Sequence, residues 1–258
     1  MRRKSRFQVS GFRFQVSGFR FQVSGFRKQY TAFMAIDALF FDVGNTLLFP
    51  NRKKMLHSLH EQQVFPSEEL LRHIERETKQ QFDALVESHS AVDHGFWWMF
   101  YSRVLNELGM PDESTCADLV ARTQTSSNWC DIRPGTREAL RRLGTQYRLG
   151  VISNADGKIA DILAHCGIAD CFEAITDSGI VGKEKPHPAI FEAALQSMGV
   201  KAEQSLYTGD VYCIDYLGST SVGMQCVLFD VAGAYAQKGL ARVESLEDLE
   251  TLLTTKDR

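Results

Sequence analysis

From Arg148 to Leu253 short apolar runs alternate with amphipathic ones, and this alternation restricts the fold more than any other feature of the chain. Arg148–Ser153, Phe172–Thr176, Ser205–Thr208 and Gln225–Phe229 read as strands, and Ile36–Phe41 supplies an earlier one. Gly157–Cys166, Pro188–Met198, Asp215–Ser221 and Leu246–Leu253 read as helices. Gly167 closes the first, Pro188 occupies the first turn of the second, and Ser245 caps the last. Alternating strands and helices joined by right-handed crossovers predict an α/β fold: a doubly wound parallel sheet, covered on both faces.

One stretch breaks the alternation. Between about Asn51 and Asp131 the sequence is polar and helix-forming, with no strand-like run. Leu70, Leu71, Ile74, Phe82, Leu85 and Val86 fall at helical spacing within Ser67–Ser90, as do Phe96, Met99, Phe100, Val104 and Leu108 further on. The pattern predicts a helical cap over 51–130, inserted into an α/β core formed by 34–50 and 131–258. Following the first strand, such an insert sits above that strand's carboxyl end. Trp97, Trp98 and Trp129 read as cap core, and Thr136 as the N-cap of the helix that re-enters the core.

Residues 1–33 stand apart. Arg6–Phe12 is repeated without change at Arg13–Phe19 and Arg20–Phe26. Glycine and a β-branched valine in each unit oppose a helix, and three such short units bury no core. A disordered arm, read as an upstream repeat translated in frame, is expected, with folded protein starting near Met34. The arm holds eight of the 29 Lys and Arg and none of the 32 Asp and Glu, so the remainder is markedly acidic. Such a body repels polyanions, which excludes nucleic acid as a partner. No apolar run approaches the roughly 18 residues that span a bilayer, so no membrane segment is expected. The six cysteines lack CxxC or metal-ligand spacing and read as thiols of a cytoplasmic protein.

The chemistry is concentrated where predicted strands end. Phe40-Phe41-Asp42-Val43-Gly44-Asn45-Thr46 passes from an apolar run to an aspartate and a turn. Downstream come Ser153-Asn154, then Lys185-Pro186-His187-Pro188, then Gly209-Asp210 with Asp215. Open α/β sheets gather such positions at one edge. An aspartate beside a lysine and a divalent ion stays ionised and suits a nucleophile. Asp42, Asp210 and Asp215 offer the hard oxygen ligands that Mg2+ prefers. Ser153 can donate to a phosphoryl oxygen, and Lys185 supplies a fixed positive charge. His187 reads as structural, and Lys183 and Glu184 as a solvated turn.

These four segments, in this order and with a cap-sized insert after the first, resemble the haloacid dehalogenase-like hydrolases with a helical cap. The resemblance spans about Ala35 to Leu253. It implies that Asp42 attacks phosphorus to form an aspartyl phosphate. Lys185, Ser153, Asn154 and Thr46 would contact the transferred group. Mg2+ would be held by Asp42, the carbonyl of Gly44, Asp210 and Asp215. The implied substrate is a small phosphorylated metabolite; oligomeric state is not encoded in any feature of the chain.

One position departs from the pattern. Phosphatases of this family carry a second aspartate two residues after the nucleophile, as general acid and base, and here that residue is Gly44. Such proton transfer is worth roughly 10²–10⁴-fold in rate. His57, His60 and His94 are the cap residues that could replace it. Two alternatives follow from the same glycine: a 2-haloacid dehalogenase, whose leaving group needs no proton, or a weakened protein that binds a phosphometabolite without turnover. A phosphonate hydrolase would need a cap lysine, for which Lys53, Lys54 and Lys79 are candidates. The retained Gly209-Asp210 and Asp215 favour phosphoryl chemistry.

Overall fold

The computed structural model describes residues 35–88 and 95–254. The expected disorder of the repeat arm, and His94, lie outside the described residues.

β1 (Ala38–Phe41) is followed by β2 (Leu48–Pro50) and by the helices α1 (Arg52–Met55), α2 (His57–Glu61), α3 (Glu68–Glu87), α4 (Gly95–Glu107) and α5 (Glu113–Thr123). β3 (Trp129–Ile132) then pairs antiparallel with β2, so one short ribbon carries the chain into and out of the helical insert. The core continues through α6 (Thr136–Leu143), β4 (Arg148–Ser153), α7 (Ile159–His165), β5 (Ala174–Asp177), α8 (Ser178–Val181) and α9 (Pro188–Met198). It ends with β6 (Ser205–Gly209), a π-helical turn over Tyr212–Tyr216 that runs into α10 (Leu217–Ser221), β7 (Gln225–Phe229), β8 (Arg242–Val243) and α11 (Leu246–Thr254).

The main sheet is parallel, in the order β5-β4-β1-β6-β7-β8. All four residues of β1 are buried, as expected of a central strand covered on both faces. Alternation divides them. Leu39 and Phe41 join a core with Leu140 of α6, Leu163 of α7 and Leu249 of α11, whereas Ala38 and Phe40 join Ile190, Phe191 and Ala194 of α9 on the other face. This is the doubly wound α/β fold, with the α-helical cap inserted after β1.

Local signals place most boundaries. The Ser67 side chain accepts the Leu70 N–H at the start of α3, and His187 accepts the Ala189 N–H in front of Pro188 at the start of α9. Thr136 is not the N-cap it was expected to be. Gly135, at φ +83°, precedes α6 in the left-handed region, and Thr136 is the first helical residue. The cap helices share their own cluster, including Leu59, Ile74, Phe100, Val104 and Leu119. No described helix is long and apolar enough to cross a membrane.

Candidate active site

The chain leaves β1 for the cap and returns to β4 on one side of β1, then reaches β6 on the other. That reversal opens a crevice at the carboxyl ends of the three strands. Register pairs Phe41 with both Val151 and Thr208, which sets Asp42 level with Ile152 and Gly209. Asp210 follows directly, and Asp215 folds back beneath it on the π-helical turn. Gly209 is required here, since a Cβ would lie 2.5 Å from Asp215 Cγ.

Lys185 joins these pieces. Its buried Nζ donates to Asp42 Oδ1 at 2.7 Å and to Asp215 Oδ1 at 2.8 Å, and lies 2.7 Å from the Tyr207 hydroxyl. Asp215 is fully buried and also accepts the Tyr207 hydroxyl at 2.9 Å and the Val211 N–H at 2.9 Å. Both its oxygens are therefore engaged. It anchors Lys185 and the loop. Asn154 also anchors the lysine, because its side chain donates to Lys185 O at 3.0 Å and accepts the Lys185 N–H at 2.7 Å. Expected as a substrate contact, it also fixes the backbone that carries the lysine, through a segment whose Lys185–Pro186 peptide is cis. Ser153 ends β4, nearly buried. Thr46 Oγ1 is buried with no hydrogen-bond partner among the described residues.

The cap contributes a group that sequence spacing does not single out. Lys79, on the buried face of α3, donates to Asp210 Oδ2 at 2.8 Å and pairs with Glu75 at 2.9 Å. Asn45, in the left-handed region at φ +54°, donates to the same Asp210 oxygen at 3.3 Å. One turn further along α3, Asp83 accepts the Cys213 N–H at 3.1 Å, and Gln80 donates to Ala234 O at 3.0 Å. Polar contacts thus dock the cap on the loops after β6 and β7. The other described cap candidates stay outside: His57 pairs with Glu61 on the surface, His60 stacks on Phe65, and Lys53 and Lys54 are exposed.

Charge in the crevice does not balance. Among the described residues, Asp42, Asp210, Asp215 and Glu75 face two buried ammonium groups, Lys79 and Lys185. Burial raises the Asp42 carboxyl to about 7, with Lys185 opposing and Asp215 and Asp210 adding to the rise. Burial likewise raises Asp210, against the pull of Lys79. Both lysines are held well above their ordinary value despite burial, chiefly by Asp210 for Lys79 and by Asp215 for Lys185. One carboxylate oxygen from each of Asp42, Asp210 and Asp215 lies within 4.8 Å of the others.

Gly44 has a structural counterpart. It is outside the left-handed region, so its backbone admits other residues, but a Cβ there would meet Trp129 Cζ3 at 3.4 Å. Trp129 belongs to the connecting ribbon rather than to the cap core: its indole N–H donates to Thr123 O at 2.7 Å, and its ring packs beside Trp97. The indole covers the space that a side chain at position 44 would enter.

A sequence profile of the haloacid dehalogenase-like hydrolases matches residues 36–218. The chain is 32% identical over 140 residues to haloacid dehalogenase-like hydrolase domain-containing protein 3 of Xenopus laevis, covering 51% of this chain and 56% of that one. It is 30% identical over 203 residues to glyceraldehyde 3-phosphate phosphatase of Pyrococcus abyssi, covering 75% of this chain and 81% of that one. The chain spans little more than half the length of the first curated relatives it matches. Among solved structures, the magnesium-bound HAD-hydrolase YfnB from Bacillus subtilis superposes with a TM-score of 0.65 at 19% identity, covering 86% of this chain and 100% of that one. A dehalogenase superposes with a TM-score of 0.56 at 20% identity, covering 84% and 97%. At these identities the structural likeness is one of fold. The profile match across most of the chain places it in the haloacid dehalogenase-like hydrolase family.

Proposed function

We propose that the protein hydrolyses a small phosphate monoester, with Asp42 as nucleophile and a divalent cation, Mg2+, at Asp42 and Asp210. The observation that carries this reading is the uncompensated negative charge around Asp42. Four buried or half-buried carboxylates against two ammonium groups suit a divalent ion, and the hard oxygen donors of the cluster suit Mg2+. The cation would hold Asp42 ionised and withdraw charge from a phosphoryl oxygen.

In this reading Asp42 Oδ attacks phosphorus, the P–O bond to the leaving group breaks, and water later cleaves the aspartyl phosphate. Lys185 keeps its position through Asp215, Tyr207 and the Asn154 clamp, and neutralises charge on the transferring group. Ser153 at the end of β4, and Thr46, whose buried Oγ1 has no partner among the described residues, are the groups that would donate to its equatorial oxygens. The phosphatase among the relatives agrees with this reaction class. The alternative, carbon–halogen cleavage, draws on Gly44, since a halide leaves without a proton.

Thermal unfolding checks the cation. Mg2+ at about 100 times its dissociation constant adds roughly 2.7 kcal/mol, so melting should rise by several degrees in the parent and not in Asp210→Ala. A parent indifferent to Mg2+ and EDTA removes the basis for preferring phosphoryl chemistry.

Turnover checks the missing acid. The parent should hydrolyse p-nitrophenyl phosphate much faster than alkyl phosphates, and 2-haloacids not at all. Gly44→Asp should raise the alkyl phosphate rate, by up to about 10²-fold, if Trp129 yields the space. Equal parent rates on both esters would mean that another group supplies the proton.

A further inference from the structure

A cavity of about 240 Å³ opens beside Asn45 and Lys79 and runs outward between the cap and the β2–β3 ribbon. Its cap wall is one stripe of α3, with Glu68, Arg72, Glu75 and Lys79 at spacings of four, three and four. Of the acids along it, Glu75 and Glu68 have cationic partners, and Asp131 keeps its charge. Glu75 pairs with Lys79, Glu68 lies 3.8 Å from Arg52, and Asp131 accepts from Asn51 at 3.1 Å.

Two guanidinium groups on the same cavity are not neutralised. Arg72 makes no ion pair among the described residues. Arg133, on the opposite wall, stacks 4.0 Å over Phe49 and donates one N–H to the backbone oxygen of Glu244 at 3.0 Å, which leaves further donors of its planar fork. Burial, and then the neighbouring Arg72, hold Arg133 below its ordinary value, with Glu247 offsetting part of the effect. Like charges facing one cavity are stabilised by an anion between them.

We infer that Arg72 and Arg133 form a second anion site, which takes a carboxylate or phosphate on the leaving group of the substrate. This rests on the phosphatase reading, because it assigns the reacting phosphoryl group to Asp42, beyond Asn45 and Lys79, which line the cavity and contact Asp210. Arg72 and Lys79 are seven residues apart, about 10 Å along the helix axis. With the reach of an arginine side chain, the second anion belongs a few bonds from phosphorus. The substrate class is a short-chain phosphate monoester with a second negative group.

Three esters of equal chain length test this: propyl phosphate, 3-phosphopropionate and propane-1,3-diyl bisphosphate. The parent should prefer one or both anionic esters by about 10-fold or more in kcat/KM, expressed in KM. Whichever anionic ester is favoured identifies the second group. Arg72→Gln should erase most of that preference, and Arg72→Glu should reverse it. Arg133 also supports its own loop, so Arg133→Gln is read beside its melting temperature. Binding of the same esters to Asp42→Asn by calorimetry separates the two claims. Hydrolysis of propyl phosphate with no preference and no difference in binding overturns the second site and leaves the phosphatase reading intact. Tighter, Arg72-dependent binding of the anionic esters, with hydrolysis of neither these esters nor p-nitrophenyl phosphate, supports the site and overturns the phosphatase. No binding of any ester overturns both.

Discussion

Asp42→Asn should abolish hydrolysis of p-nitrophenyl phosphate, with a loss of about 10⁴-fold or more. The substitution keeps the shape of the side chain and an oxygen for Lys185, which lies 2.7 Å away. It also removes one negative charge from a cluster that has too many, so the folded protein should melt no lower than the parent without Mg2+. Loss of activity with an unchanged or raised melting temperature therefore isolates the chemistry. Activity within 10-fold of the parent would place the nucleophile elsewhere.

Lys185→Met should have the largest effect on stability. The ammonium group is buried and contacts Asp42, Asp215 and Tyr207. Without it two buried carboxylates lose their counter-charge, and breaking a buried pair this way costs about 3–5 kcal/mol. At roughly 2–4 °C per kcal/mol for a domain of this size, the melting temperature should fall by about 10 °C. Adding Asp215→Asn removes one of the stranded charges and should recover part of that loss, with no return of turnover. A single variant that melts like the parent would mean that the buried carboxylates are protonated rather than paired.

The sheet is legible in the sequence because its strands carry their own evidence. β4 and β7 begin and end where the apolar runs do, and α9 spans the whole stretch from Pro188 to Met198. Those segments obey local rules: burial on both faces, proline at the first turn, a polar residue in front. The β2–β3 ribbon does not. Its strands are three and four residues long, and their pairing joins Leu48 to Ile132 across the entire cap, a contact with no periodic signature. Trp129, expected in the cap core, lies on that ribbon for the same reason.

The core half of the site is legible because Asp42, Ser153 and Asp210 stand at or just after strand ends, which the topology brings together. The cap half requires the docking angle of α3. A signal is present nonetheless. Thr78, Lys79 and Asp83 interrupt the stripe formed by Leu71, Ile74 and Phe82, and polar groups on a buried helix face need partners. In sequence they resemble ordinary helix surface. The second role of Asn154 has no signal in sequence, because its two amide atoms match the backbone of Lys185, 31 residues away.

The central claim is that Asp42 becomes covalently phosphorylated. Acid quenching during turnover of p-nitrophenyl phosphate, followed by borohydride reduction and peptide mass spectrometry, measures this directly. Asp42 should be converted to homoserine in the parent supplied with substrate and Mg2+, and left unchanged when either is omitted. Conversion at a different carboxylate, or an unmodified Asp42 in samples that are turning over substrate with a pre-steady-state burst, would contradict the account.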